Sequence, residues 1–161
     1  MTLASQLTST QKGKVTEQLV ASALLIASNG RLAPFVPLAD DHGLDLIVLD
    51  KKTRRMIAIQ VKSAIANESR GTVQFDVRKQ TFNVTKGEYL MLVVFEPERM
   101  ALAASWLIPM DKVPDVSTEQ AEKYALVPSL KAISKDRCRA FRHDDIRSLV
   151  DAIEQQFDCG A

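Results

Sequence analysis

Gly43-Leu-Asp-Leu-Ile-Val-Leu-Asp50, Lys51-Lys-Thr-Arg-Arg55 and Met56-Ile-Ala-Ile-Gln-Val-Lys62 follow one another without a break, and the fold is read from them. Two apolar runs flank a short charged turn, which predicts a β-hairpin with a longer loop. The first run is apolar on both sides, with Leu44, Leu46 and Val48 on one and Ile47 and Leu49 on the other. That pattern predicts a strand covered on both faces. The second run alternates, with Ile57, Ile59 and Val61 on one face and Met56, Ala58, Gln60 and Lys62 on the other. Gln60 and Lys62 therefore point the same way. Pairing the two strands brings Asp45 beside them.

A carboxylate, an amide and an ammonium at one end of a buried sheet are costly unless they pair with each other or hold a metal. One reading is a divalent-cation site: Asp45 a hard anionic ligand, Gln60 a neutral carbonyl ligand, and Lys62 a stabiliser of negative charge. The other is an Asp–Lys ion pair kept for structure. The residues alone leave both open.

Upstream, Ser9 or Thr10 is expected to cap a helix that runs to about Ser28, where Asn29-Gly30 stops it. Val15, Leu19, Ser22 and Ile26 lie along one stripe, and Gly13, Glu17, Ala21 and Leu24 along its neighbour. Small neighbours one turn either side of Glu17 predict a close approach of this helix to a partner.

Gly43-Leu-Asp-Leu-Ile-Val and Ile59-Gln-Val-Lys-Ser63 resemble the core of the PD-(D/E)XK nuclease superfamily. Gly13-Lys-Val-Thr-Glu17 resembles that family's first helix and its Glu. The matching segments cover about residues 11 to 63. The Gln-x-Lys variant looks most like the small resolvase-like, restriction-type and intron-homing branches. The resemblance implies an α/β, restriction-endonuclease-like core, a central mixed β-sheet flanked by α-helices. It implies hydrolysis of phosphodiester bonds in DNA with Mg2+ or Mn2+. Glu17, Asp45, Gln60 and Lys62 would be the catalytic set, with Asp45, Gln60 and Glu17 on the metal and Ser63 and Asp76 as neighbours. Gln60 departs from the acid that many members carry, so at most two anionic ligands remain. An inactive nuclease-fold module that binds nucleic acid or a protein partner is the alternative, as is an interaction or immunity protein that never meets DNA.

A chain of 161 residues is expected to form a single domain, residues 1–161, with residues 1–8 a flexible terminus. Composition is that of a soluble globular protein, 46% hydrophobic and 25% charged, and neither a membrane span nor a signal peptide is read. A cytoplasmic protein is expected. The formal net charge of +1 excludes nucleic-acid binding by bulk charge, so any DNA surface must be local. Lys51, Lys52, Arg54 and Arg55 form one basic cluster, and Arg78 and Lys79, with Arg70 and Lys86, a second. Lys131, Lys135, Arg137, Arg139 and Arg142 form a third, and each cluster alone also reads as solvated surface. The two cysteines, Cys138 and Cys159, lack zinc-site spacing and are expected to be free thiols.

Pro34 and Pro37 confine residues 31–38 to a sheet edge or an irregular run. Asp40, Asp41 and His42 read as a polar loop. Ser63-Ala64 is expected to end the second hairpin strand, and residues 67–71 to turn. Val73, Phe75 and Val77 alternate as a half-buried strand. Tyr89–Phe95 and Ala103–Ile108 predict a second hairpin. Residues 111–126 read as weakly helical. Ile146, Leu149, Val150, Ile153 and Phe157 predict a final helix with Asp144 and Asp145 in its first turn. Cutting both strands of a duplex with one small domain predicts a homo-oligomer, with Ala101–Leu107 or the sheet edge as its surface.

Overall fold

The two runs flanking the basic turn pair as expected, and the rest of the chain is layered on the sheet they begin. The computed structural model describes residues 7–39, 43–65 and 71–159. Asp40, Asp41, His42 and the expected turn at residues 67–70 lie outside them.

Helix α1 (Ser9–Ala27) leads into β1 (Leu32–Phe35), β2 (Leu46–Asp50) and β3 (Met56–Ile65). β4 (Phe75–Arg78), a 3-10 turn at Lys79–Thr81, β5 (Glu88–Glu96) and β6 (Ala101–Pro109) follow. A four-residue helix α2 (Val113–Val116), β7 (Thr118–Glu119), β8 (Lys123–Leu126), β9 (Arg142–His143) and helix α3 (Ile146–Asp158) complete the order. The main sheet has six strands in the order β1-β2-β3-β5-β6-β9. Only β3 and β5 run parallel, so the sheet is mixed and the α/β class is as expected. β4, β8 and β7 form a separate three-stranded sheet.

Register assigns each side chain to a face. Leu46, Ile59 and Val61, with Val48, Ile57, Met91, Val93 and Leu107, pack with Val20, Ala21 and Leu24 of α1 and with Leu149, Val150, Ile153 and Phe157 of α3. The opposite face of β5 and β6 presents Leu90, Leu92, Val94, Ala104, Trp106 and Ile108 to Phe75 and Val77 of β4 and Leu126 of β8. This second layer stops short of β1 and β2. Ala33, Leu49 and Met56 align across the strands on that side, as do Phe35, Ile47 and Ala58. Phe35 is 54% exposed and Met56 64%. The first hairpin strand is thus fully covered on one face only.

Several expectations are corrected. Thr8, not Ser9 or Thr10, caps α1, because Gln11 three residues on closes a capping box: the Thr8 hydroxyl accepts the Gln11 amide and the Gln11 side chain accepts the Thr8 amide. The buried stripe of α1 is Thr16, Glu17, Val20, Ala21 and Leu24, while Ile26 is 75% exposed. Gly13 makes no close approach, since a β-carbon there meets nothing within 4 Å. β3 runs on past Ser63-Ala64 to Ile65, because β5 supplies parallel partners Val93, Val94 and Phe95. Residues 111–126 hold only one turn of α-helix before β7 and β8. Ala101–Leu107 is not a free surface: it lies in β6 between β5 and β9, with Ala104 through Leu107 buried. Asp145 caps α3 from outside, its carboxylate accepting the Ser148 amide at 2.7 Å.

Candidate active site

Asp45 is placed by the β2–β3 ladder. Its amide donates at 3.1 Å to the carbonyl of Ile59, the residue that Leu46 already faces, so Asp45 stands just past the last regular pair of the ladder. Its Oδ2 accepts the Val61 amide at 2.6 Å. That amide faces the side of β3 where β2 has ended, while β3 itself continues along β5. The carboxylate therefore sits at the open edge of a strand, satisfying a backbone donor that would otherwise lack a partner there. Asp45 is 8% exposed and Gln60 4%, so both polar groups are held inside the protein.

Gln60 and Lys62 project from the same face of β3, above Leu90 and Leu92. The Gln60 Oε1 is buried without a hydrogen-bond partner among the described residues. A buried carbonyl oxygen left so costs about 1–3 kcal/mol unless something outside the chain completes it. Gly43 closes over the other end of this amide. Its φ of +72° is left-handed, and a β-carbon there would stand 2.4 Å from the Gln60 Nε2. Lys62 is half-buried.

Glu17 is buried on the sheet-facing stripe of α1 and pairs with Lys14 Nζ at 2.8 Å. It comes from the α1 side of the sheet, whereas Gln60 and Lys62 leave from the other. Asp45 thus lies at the end of β2 beside the stretch of β3 that carries Gln60 and Lys62, while Glu17 is supplied by α1.

The basic positions divide. The hairpin turn stands at the opposite end of β2 from Asp45, about 17 Å away at the rise of a strand. Lys52 there pairs with Asp158, and Arg55 donates to the Phe157 carbonyl, so both are tied to α3. Lys51 and Arg54 are exposed. Arg78 and Lys79 stand beside a cleft of about 270 Å3, whose walls include Gln80, Thr81, Phe82, Asn83 and Tyr89 and whose floor is Ala58 and Gln60. Lys79 pairs with Glu119. In sequence, the cleft wall at residues 80–83 is a polar stretch. Its one local signal is a phenylalanine set among amides and hydroxyls.

A strongly perturbed carboxylate stands at the far end of β2. The Arg31 guanidinium, bonded to both oxygens of Asp50, holds that buried acid well below the usual carboxylate range. Thr53 and the Lys52 amide add to the same effect. Arg31 also reaches Glu154 and Asp158, so this is a structural knot joining the hairpin to α3. The thiols are free, and burial pushes the Cys138 thiol up to about 11, which makes it a poor nucleophile.

Among the described residues no cluster of three or more His, Cys, Asp and Glu side chains surrounds a cation position. Asp45 offers a carboxylate and Gln60 an orphaned amide oxygen near the end of the β2–β3 ladder, and Glu17 offers a carboxylate from α1. All are hard oxygen donors of the kind that magnesium and manganese take.

The central mixed sheet, with α1 and α3 on one face, defines a nuclease-like fold. A solved structure of a bacterial homing endonuclease aligns with this chain at a TM-score of 0.61 and 20% sequence identity, covering 94% of this chain and 95% of that one. No protein-family model matches the chain, and no curated protein does. No helix among the described residues is long and apolar enough to cross a membrane.

Proposed function

We propose that the chain is a metal-dependent DNA endonuclease of the PD-(D/E)XK type that hydrolyses phosphodiester bonds and works as a homo-oligomer. The observation that carries this reading is the pair Asp45 and Gln60 on the β2–β3 edge, one carboxylate and one orphaned carbonyl oxygen, both buried. Asp45, Gln60 and Glu17 are the residues that would hold Mg2+ or Mn2+. Such an ion, when bound, lowers the pKa of a water and offsets charge at phosphorus.

The chain's own groups do the rest. Lys62, one pleat on from Gln60 and on the same face, orients the attacking water or stabilises the developing anion. The Val61 amide fixes one oxygen of Asp45, so that carboxylate keeps one orientation. Gly43 fixes the Gln60 amide by closing against its nitrogen and turns the oxygen away from itself. Arg78 beside the cleft and Lys51 and Arg54 at the hairpin turn are the exposed cations offered to DNA phosphates, while Lys79, Lys52 and Arg55 would first have to leave Glu119, Asp158 and the Phe157 carbonyl.

A second reading is an inactive module of the same fold, favoured by one observation. The Glu17 carboxylate already pairs with Lys14 Nζ at 2.8 Å, so part of its charge is offset within the chain. Incubation of supercoiled plasmid with magnesium or manganese separates the two. The endonuclease nicks or linearises it, and Asp45→Asn does not. Intact plasmid with the wild-type chain at every metal concentration, or equal cutting by Asp45→Asn, overturns the proposal.

A further inference from the structure

We infer that the cleft beside Gln60 receives one nucleobase drawn out of the helical stack, so that the preferred substrate is DNA with an unpaired or extruded nucleotide next to the cut. This rests on the nuclease reading above and adds to it the substrate class.

Position comes first. Ala58 and Gln60 floor the cleft, and Lys62 follows on the same face of β3 about 7 Å further along. A phosphate held at Gln60 and Lys62 has its own sugar and base within reach of the cleft. Size agrees. The cleft volume of about 270 Å3 equals the share of about nine liquid waters, room for one base and its sugar and far too little for a duplex.

The lining chemistry selects a base over a phosphate. Gln80 and Asn83 offer amides that both donate and accept, and Thr81 adds a hydroxyl. These suit the donor and acceptor edge of a base. Phe82 supplies aromatic surface, while the Tyr89 side chain turns to the α3 face of the sheet, where its hydroxyl donates to Gln156. Phe82 is held edge-on against Tyr124 with ring centres 4.9 Å apart, so its ring is positioned before a ligand arrives. Stacking on such rings plus hydrogen bonds to the edge is how extruded bases are held. No Lys or Arg lines the cleft among the described residues, and Glu88 does, which disfavours a phosphate there.

The test measures binding of the full chain, without metal, to two labelled duplexes that differ only in one extra unpaired 2-aminopurine. The bulged duplex should bind at least tenfold tighter, with quenching of the 2-aminopurine emission. The double variant Gln80→Ala/Asn83→Ala and the cleft-filling Ala58→Leu should each bring the bulged duplex down to the affinity of the paired one. Melting temperatures of both variants confirm that they fold. Equal affinity for the two duplexes, or a preference that survives both variants, overturns this inference and leaves the nuclease reading intact. Binding to neither duplex, together with uncut plasmid, overturns both.

Discussion

The Asp45 carboxylate accepts the Val61 amide at 2.6 Å, across the end of the hairpin ladder. That bond gives the residue a structural duty distinct from any metal duty, and two substitutions separate them. Asp45→Asn keeps an oxygen for the amide, so its melting temperature should stay close to wild type while cleavage is lost. Asp45→Ala leaves a buried amide donor unsatisfied and should cost about 1–3 kcal/mol of stability as well. Urea unfolding of the two variants, set beside plasmid cleavage, checks both halves. An Asn variant as unstable as the Ala variant would show that the carboxylate's charge, not its oxygen, holds the edge.

Gly43 is predicted to be intolerant of any side chain. Its φ of +72° and the lack of room for a β-carbon, which would stand 2.4 Å from Gln60 Nε2, act together. Gly43→Ala should destabilise the fold by about 1–3 kcal/mol from backbone strain and displace the Gln60 amide. Gly87, also at positive φ but with open space around it, is the control: Gly87→Ala bears the strain and leaves Gln60 alone. Manganese affinity measured on the two variants should fall only for Gly43→Ala.

The Arg31–Asp50 pair predicts how stability responds to acid. The folded carboxylate titrates below its unfolded value, because Arg31 hydrogen-bonds its charged form. Its contribution is therefore complete above the unfolded pKa of about 3.9 and declines as pH falls from there toward the lower folded value. Asp50→Asn should flatten that part of the stability curve. At neutral pH it should cost about 1.5–3 kcal/mol, since the guanidinium loses its buried charged partner but keeps Glu154 and Asp158. Thermal melts of wild type and variant from pH 2.5 to 7 give both numbers.

Self-association is predicted to use the uncovered sheet face that carries Phe35 and Met56 rather than β6. Two sites related by symmetry suit the two strands of a duplex, and this apolar face is what a second copy would cover. Sedimentation of wild type and Met56→Lys should show an oligomer that the substitution dissociates. A wild-type monomer at all concentrations, with and without DNA, would remove the surface.

The hairpin was legible because alternation is local. Ile57, Ile59 and Val61 against Ala58, Gln60 and Lys62 settled which side chains share a face, and the facing run placed Asp45. The last helix was equally plain in its 3.6-residue stripe. What stayed hidden depends on distant partners. The end of β3 at Ile65 is set by β5, thirty residues on, and Ser63-Ala64 carries little strand preference of its own. β7 and β8 are two and four residues long, too short to impose a period on residues 111–126. The burial of Glu17 ran against composition: α1 has apolar residues on most sides, and the sheet selected the stripe containing an acid and a small residue over the one with Leu19 and Ile26. The cleft could not be seen at all, since its walls come from four separate parts of the chain.

The most direct test of the site is a calorimetric titration of manganese into wild type, Gln60→Glu and Asp45→Asn. A site built on Asp45 and the orphaned Gln60 oxygen should bind manganese in the wild type and lose it in Asp45→Asn. In Gln60→Glu it should bind more tightly by about 1–2 kcal/mol, since an anionic ligand of the same shape replaces a neutral one. No heat of binding in the wild type, with a Gln60→Glu variant that is less stable and gains nothing from manganese, would contradict the account.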